Sequence, residues 1–346
     1  MISWERFKKT KAAGMGIVLP KFQEAATDYQ DNTLAKEGER IKNCGMMIKA
    51  IGCKKCGEKF FKGYARCKSK YCPTCSALKG AIWCAKLYPL LQQWLEKGNN
   101  IHFATFTIPD QEDLEYALKI IYDAWRYMTN KLVPKEWKER FAGGVKAVEC
   151  KIGKYSGKWH VHIHALVLRT GYRKDAHFLK ENWSKAVHHV MGENIYVAWP
   201  NIKPIKAKDG SKNRDKLLWS VCETVKYATK INPDMETYRV AQAFYGLKNR
   251  RQISCWGVLY GISKLVEKEM DEESDNLIKS FKCTTCGFDI SEFLEIWENT
   301  GKYWQDTEMK NYKEAVEFVE KPIELDFDKN YWYDEEDNIC VQTKFI

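Results

Sequence analysis

No stretch of this sequence is long and uncharged enough to cross a bilayer, and its amino end, MISWERFKKTK, lacks the apolar run of an export signal. Both absences point to a cytoplasmic protein without a membrane partner. There is no internal repeat and no low-complexity tract, which sets aside repeat architectures and collagen-like or linker-like chains. Acidic residues are scarce in the first 265 positions. Residues 1–265 hold 47 Lys/Arg against 24 Asp/Glu, a net of +23, whereas residues 266–346 hold 9 against 22, a net of −13. A body that basic is an electrostatic footprint for a polyanion, with counterion release supplying salt-dependent affinity for nucleic acid. Charge alone fits a merely soluble basic domain equally well. The acidic final 81 residues read as a solvated tail, with a partner-protein surface or a DNA mimic as alternatives.

Thirteen cysteines are present in 346 residues. In a long chain without an export signal they argue for thiolates on metal rather than for a disulfide framework. Cys53 and Cys56, then Cys72 and Cys75, make C-x2-C-x15-C-x2-C, the spacing that brings two knuckles to one tetrahedral, structural Zn²⁺. Cys67 is an alternative ligand. The lysines and arginines between them suit DNA contact, and a purely structural zinc suits them as well. Cys283 and Cys286 form another C-x-x-C, but no second pair follows it.

Residues 1–43 are polar and weakly patterned, an arm with one helix, and residues 44–80 are the Cys-rich module. Helical spacing of apolar residues predicts helices over 76–98, 110–132, 176–190 and 217–231. Alternation predicts strands over 101–108, a hairpin within 143–169, and strands at 194–199 and 250–262. Mixed elements with a hairpin indicate an α+β fold for residues 81–265: a mostly antiparallel central sheet with helices on one face, flanked by a zinc-ribbon-like module and a C-terminal extension over 266–346.

Within WHVHIHALV, His160, His162 and His164 are two apart on one strand, so all three imidazoles share a face. Three adjacent imidazoles would repel when protonated, whereas a shared metal favours the neutral rings. Glu149, in VKAVECK on the partner strand, is the candidate third ligand. Two imidazoles and a carboxylate leave positions open for phosphate oxygens and suit Mg²⁺ or Mn²⁺ as Lewis acid. In LLWSVCETVKYATK, Glu223, Tyr227 and Lys230 are spaced four and three apart and so share a helical face. A phenol of this kind can attack a phosphodiester, with the Lys offsetting phosphate charge and the Glu taking a proton. Alone, that pattern is common on solvated helix faces.

The strand IHFATFTI, the Glu149 strand, HVHIH and the helix bearing KYATK occur in the order and spacing of HUH endonucleases. Over residues 45–262 the chain resembles the rolling-circle replication initiators of plasmids and small viruses. The resemblance implies an RRM-like palm as the sheet and a divalent cation on His162 and His164, with His160 supporting the ligands or contacting DNA. It further implies Tyr227 as the nucleophile of a metal-dependent nicking and rejoining reaction on single-stranded origin DNA, within a duplex or hairpin, through a 5′-phosphotyrosine. Two-tyrosine members carry a second Tyr where this chain has Ile231. Glu223, four residues before Tyr227, matches single-tyrosine plasmid initiators, in which the Glu activates water for termination. Host helicase and polymerase are the implied partners. A single-strand transposase or mobilisation relaxase shares these motifs, and a zinc-ribbon DNA-binding regulator without catalysis would explain the charge and cysteines but leave the histidines and the Tyr227 face as coincidences.

Overall fold

The computed structural model of the chain describes residues 3–170, 175–192, 195–206, 212–225, 231, 233–271, 278–281, 283, 285–288, 294–299, 308–311, 316–318, 332–333 and 339–340. Helices α1 (Trp4–Ala13), α2 (Leu19–Asp28) and α3 (Asn32–Asn43) lead into strands β1 (Met47–Gly52) and β2 (Lys59–Tyr64) and helix α4 (Pro73–Glu96). Next come β3 (Asn100–Thr107), α5 (Leu114–Tyr127), α6 (Pro134–Arg140), β4 (Phe141–Ile152) and β5 (Trp159–Arg169). They are followed by α7 (Asp175–Met191), β6 (Asn201–Ile205), α8 (Lys212–Val225), α9 (Thr237–Leu247), β7 (Ile253–Gly257) and α10 (Ile262–Asp271). Beyond these lie β8 (Ile278–Phe281), β9 (Leu294–Asn299) and β10 (Lys310–Asn311). Among the described residues no helix is long and apolar enough to cross a membrane.

The elements group into two compact units: Met1–Ile82 with Ile231–Ala241 and Glu269–Pro322, and Trp83–Lys230 with Gln242–Lys268 and Ile323–Ile346. In the first, residues 1–43 hold three α-helices where the sequence pattern suggests one. Their largest apolar residues are few, and four of them, Trp4, Phe7, Phe22 and Leu34, have no exposed surface. Trp4 and Phe7 stack at 5.3 Å and both meet Phe61 of β2. Caps start the helices. Ser3 Oγ accepts from Arg6 N at 3.1 Å, and the Asp31 carboxylate accepts from Thr33 N and Leu34 N at the head of α3. The β1–β2 hairpin is widened by β9, antiparallel on β1, and β10, parallel on β2, giving the order β10-β2-β1-β9. Strands from the acidic C-terminal region therefore complete a sheet begun before residue 65.

The second unit is built on a five-stranded antiparallel sheet of order β6-β3-β5-β4-β7. Helices α5 and α7 cover the face turned away from the histidines: Phe106 of β3 packs edge-on against Trp125 and Trp183, whose indole N–H donates to Thr107 O at 3.0 Å. Burying aromatic side chains of this size contributes about 1.5–3 kcal/mol each. Across the histidine face runs α8, held by Trp219 edge-on to Phe103 at 5.5 Å. The β4–β7 crossing is tight. A Cβ on Gly257, at φ +60°, would meet Ala142 O at 2.1 Å, so this pairing requires glycine there.

The strand expected at 194–199 is absent from 195–199, where Val197 is buried without joining a sheet. The edge strand is instead Asn201–Ile205, whose Pro204 is tolerated because an edge has one unpaired side. The last strand is shorter than 250–262, since the positive-φ turn at Gly257 ends it.

Candidate active site

Register places the chemistry. On the sheet, Glu149 of β4 lies directly opposite His162 of β5, and Thr105 of β3 opposite His164. Period-two alternation then points Glu149, His162, His164 and Thr105 to one face. Glu149 Oε2 lies 3.0 Å from His162 Nε2 and 3.0 Å from His164 Nε2, and the two Nε2 atoms are themselves 3.0 Å apart. All three side chains are buried.

Protons do not satisfy this triangle. If both imidazoles donate to the carboxylate, two N–H groups face one another across 3.0 Å. If only one does, its single N–H must be shared between the carboxylate and the other ring's lone pair. A cation accepts from all three. Neighbouring ligands on an octahedral ion with bonds of about 2.1 Å stand about 3.0 Å apart, so the donor set fits Mg²⁺ or Mn²⁺, with the remaining positions free for oxygen ligands. Burial pushes His162 below the usual imidazole range, against the opposing effect of its hydrogen bond to the Glu149 carboxylate, and the neighbouring His164 adds to the lowering. A neutral ring is the form that ligates.

Two residues around the triangle escaped the sequence reading. Thr105 Oγ1 lies 3.1 Å from His164 Nδ1; were Nε2 to ligate an ion, Nδ1–H would donate to the hydroxyl, which would fix the ring. The only sequence signal for Thr105 is its parity on IHFATFTI. Asp110 Oδ1 lies 2.7 Å from His160 Nδ1, while its other oxygen accepts from Ser156. His160 is thus turned to a carboxylate just beyond Pro109 and takes no part in the triangle, and no local pattern announces Asp110. Thr105→Val keeps the shape and removes the acceptor. It is expected to weaken Mn²⁺ binding by about 10–100-fold in isothermal titration calorimetry; unchanged affinity would mean that packing against Phe103, stacked on His164 at 5.5 Å, suffices to orient the ring.

Helix α8 brings a fourth group. Trp219 anchors it to Phe103, and one turn later Glu223 Oε1 comes to 3.9 Å from His164 Nε2. Tyr227 and Lys230 lie outside the described residues.

The cysteines divide differently from their spacing. Cys53 and Cys56 occupy the tip of the β1–β2 hairpin, and Cys72 and Cys75 lie at its base beside α4. Six-residue strands separate tip from base by about 20 Å, so these four do not share one ion. The base set is Cys44, Cys67, Cys72 and Cys75, all Sγ atoms within 4.8 Å, with Cys44–Cys75 at 3.5 Å and Cys67–Cys75 at 3.7 Å. A tetrahedral zinc places its sulfurs about 3.8 Å apart. Cys67 thus belongs beside Cys72 and Cys75, and Cys44 joins from across the hairpin. Hydrogen bonds from Cys44, Cys67 and Cys75 pull Cys72 far below the usual thiol range, the mark of thiols crowded enough to share a charge. Cys53 and Cys56 meet Cys283 and Cys286 instead.

No curated protein and no solved structure matches the chain. The pattern of one family, described as replication protein, matches residues 58–304, well over half of the sequence and including the whole histidine–carboxylate triangle. The chain therefore belongs to the replication protein family of rolling-circle initiators.

Proposed function

We propose that this initiator nicks and rejoins single-stranded origin DNA through Tyr227, with Mg²⁺ or Mn²⁺ held by Glu149, His162 and His164. The observation that carries the reading is the 3.0 Å triangle with Glu223 beside it, in a chain of this family. When bound, the cation would supply Lewis acidity toward the scissile phosphate. Glu149 and the two imidazoles hold their lone pairs toward one point, and Thr105 keeps the His164 ring from turning. The Tyr227 oxygen attacks phosphorus, the bond to the 3′ oxygen breaks, and the 3′-hydroxyl leaves with a proton. That hydroxyl is then free to prime synthesis by a host polymerase, while the phosphodiester energy is kept in the phosphotyrosine link, so no nucleotide cofactor is needed. Lys230 offsets charge on the phosphate. Glu223 directs water at the junction after one round, as the single-tyrosine scheme requires. Zinc on Cys44, Cys67, Cys72 and Cys75 is the structural metal.

Incubating labelled single-stranded oligonucleotides covering the origin with the full chain and Mn²⁺ tests the activity, a covalent protein–DNA adduct being the expected product. Glu223→Gln is expected to form adduct at the parental rate but to release it about 10²–10⁴-fold more slowly, the usual worth of a positioned base. Release at the parental rate would remove Glu223 from termination.

A further inference from the structure

The C-terminal C-x-x-C, which no local sequence partner explains, lies against the hairpin tip. Cys53 Sγ is 3.7 Å from Cys286 Sγ, and Cys56 Sγ is 3.4 Å from Cys283 Sγ, with all four within 4.8 Å. Both pairs are built alike. At the first, Gly57 N donates to Cys53 O at 2.8 Å, Cys53 N donates to Glu58 O at 2.8 Å, and Gly57 has φ +72°. At the second, Gly287 N donates to Cys283 O at 2.8 Å, Cys283 N donates to Phe288 O at 3.1 Å, and Gly287 has φ +67°. A Cβ on either glycine would meet nothing within 4 Å, so glycine is needed there for backbone conformation rather than for space. Two superposable C-x-x-C-G turns face to face, each aiming two thiols at one point, are the two halves of a tetrahedral thiolate site.

The surroundings hold the halves together. Thr285 Oγ1 donates to Glu58 Oε2 at 2.8 Å, and Lys310 of β10 reaches both Thr285 and Glu58. The pairing of β9 with β1 and β10 with β2 brings the second turn to the first. Zinc on four thiolates carries a net charge of −2, and Lys54, Lys55 and Lys59 stand beside it in sequence to balance that charge.

We propose that Cys53, Cys56, Cys283 and Cys286 hold a second zinc ion, so that the chain carries two, and that this ion joins segments more than 220 residues apart. The inference rests on the first unit alone and stands whether or not Tyr227 nicks DNA.

Metal analysis of the purified full chain and of Cys283→Ser/Cys286→Ser is expected to differ by one zinc per chain; no difference would overturn the site. Thiol labelling of the parent supplies an arm that does not depend on the variant folding. In the zinc-loaded chain iodoacetamide should spare Cys53, Cys56, Cys283 and Cys286 together, and all four should become labelled together as a chelator removes metal. Labelling of Cys283 and Cys286 while Cys53 and Cys56 stay protected would overturn the shared site.

Discussion

Mn²⁺ binding is expected to vanish in His162→Ala and in His164→Ala, and nicking to fall by more than about 100-fold, since removing even a group that merely orients a ligand costs 10–100-fold. Each replacement takes one of three donors and leaves Glu149 buried, 4% exposed, with one imidazole in place of two. Each variant removes a hydrogen-bond partner from that buried carboxylate, so stability should also fall, by roughly 1–3 kcal/mol. The two losses are separable. Calorimetric titration with Mn²⁺ reads the site, and urea unfolding without metal reads the fold. Folded variants that bind Mn²⁺ with the parental affinity would move the metal away from β5.

Tyr227→Phe is expected to abolish the covalent adduct, lowering its formation by at least about 10⁴-fold, as loss of a nucleophile does elsewhere. The substitution removes one oxygen, keeps the ring and changes none of Glu149, His162 and His164, so Mn²⁺ affinity and binding of single-stranded DNA should match the parent. That contrast distinguishes a nucleophile from a residue that merely supports the fold. Peptide mapping of DNA-linked parent protein provides the positive counterpart. Tyr238 and Tyr245 are both exposed, and adduct on either of them would displace Tyr227 from its role.

The sheet and its triangle were legible from the chain because period-two alternation leaves little freedom: once HVHIH is a strand with an apolar opposite face, His162 and His164 must share a side, and a hairpin places Glu149 across from them. Helices α4, α5 and α7 were legible for the same kind of reason. Thr105 and Asp110 were not, since one depends on the register of a strand more than 50 residues away and the other on a loop folding back to His160. Residues 1–43 misled because sparse apolar residues weaken a periodic signal even where the largest of them, Trp4, Phe7, Phe22 and Leu34, are fully buried.

The cysteine spacing misled for a geometric reason. C-x2-C-x15-C-x2-C describes a compact ribbon only if the intervening chain loops freely, and here it contains β2, which carries the chain from the hairpin tip to its base. True partners were Cys44, close in sequence but outside the repeat, and Cys283 with Cys286, far beyond any spacing rule.

That distance governs how the chain matures. β1 leaves the ribosome 242 residues before β9 begins, and at about 5–20 residues per second the hairpin waits some tens of seconds for the strand that will cover its edge. Over that interval Cys53 and Cys56 are a bare dithiol beside an uncovered strand edge, open to oxidants and to competing metals. A newly made chain is therefore most vulnerable in its first sixty residues, although the last part of that sheet is supplied by residues near position 300.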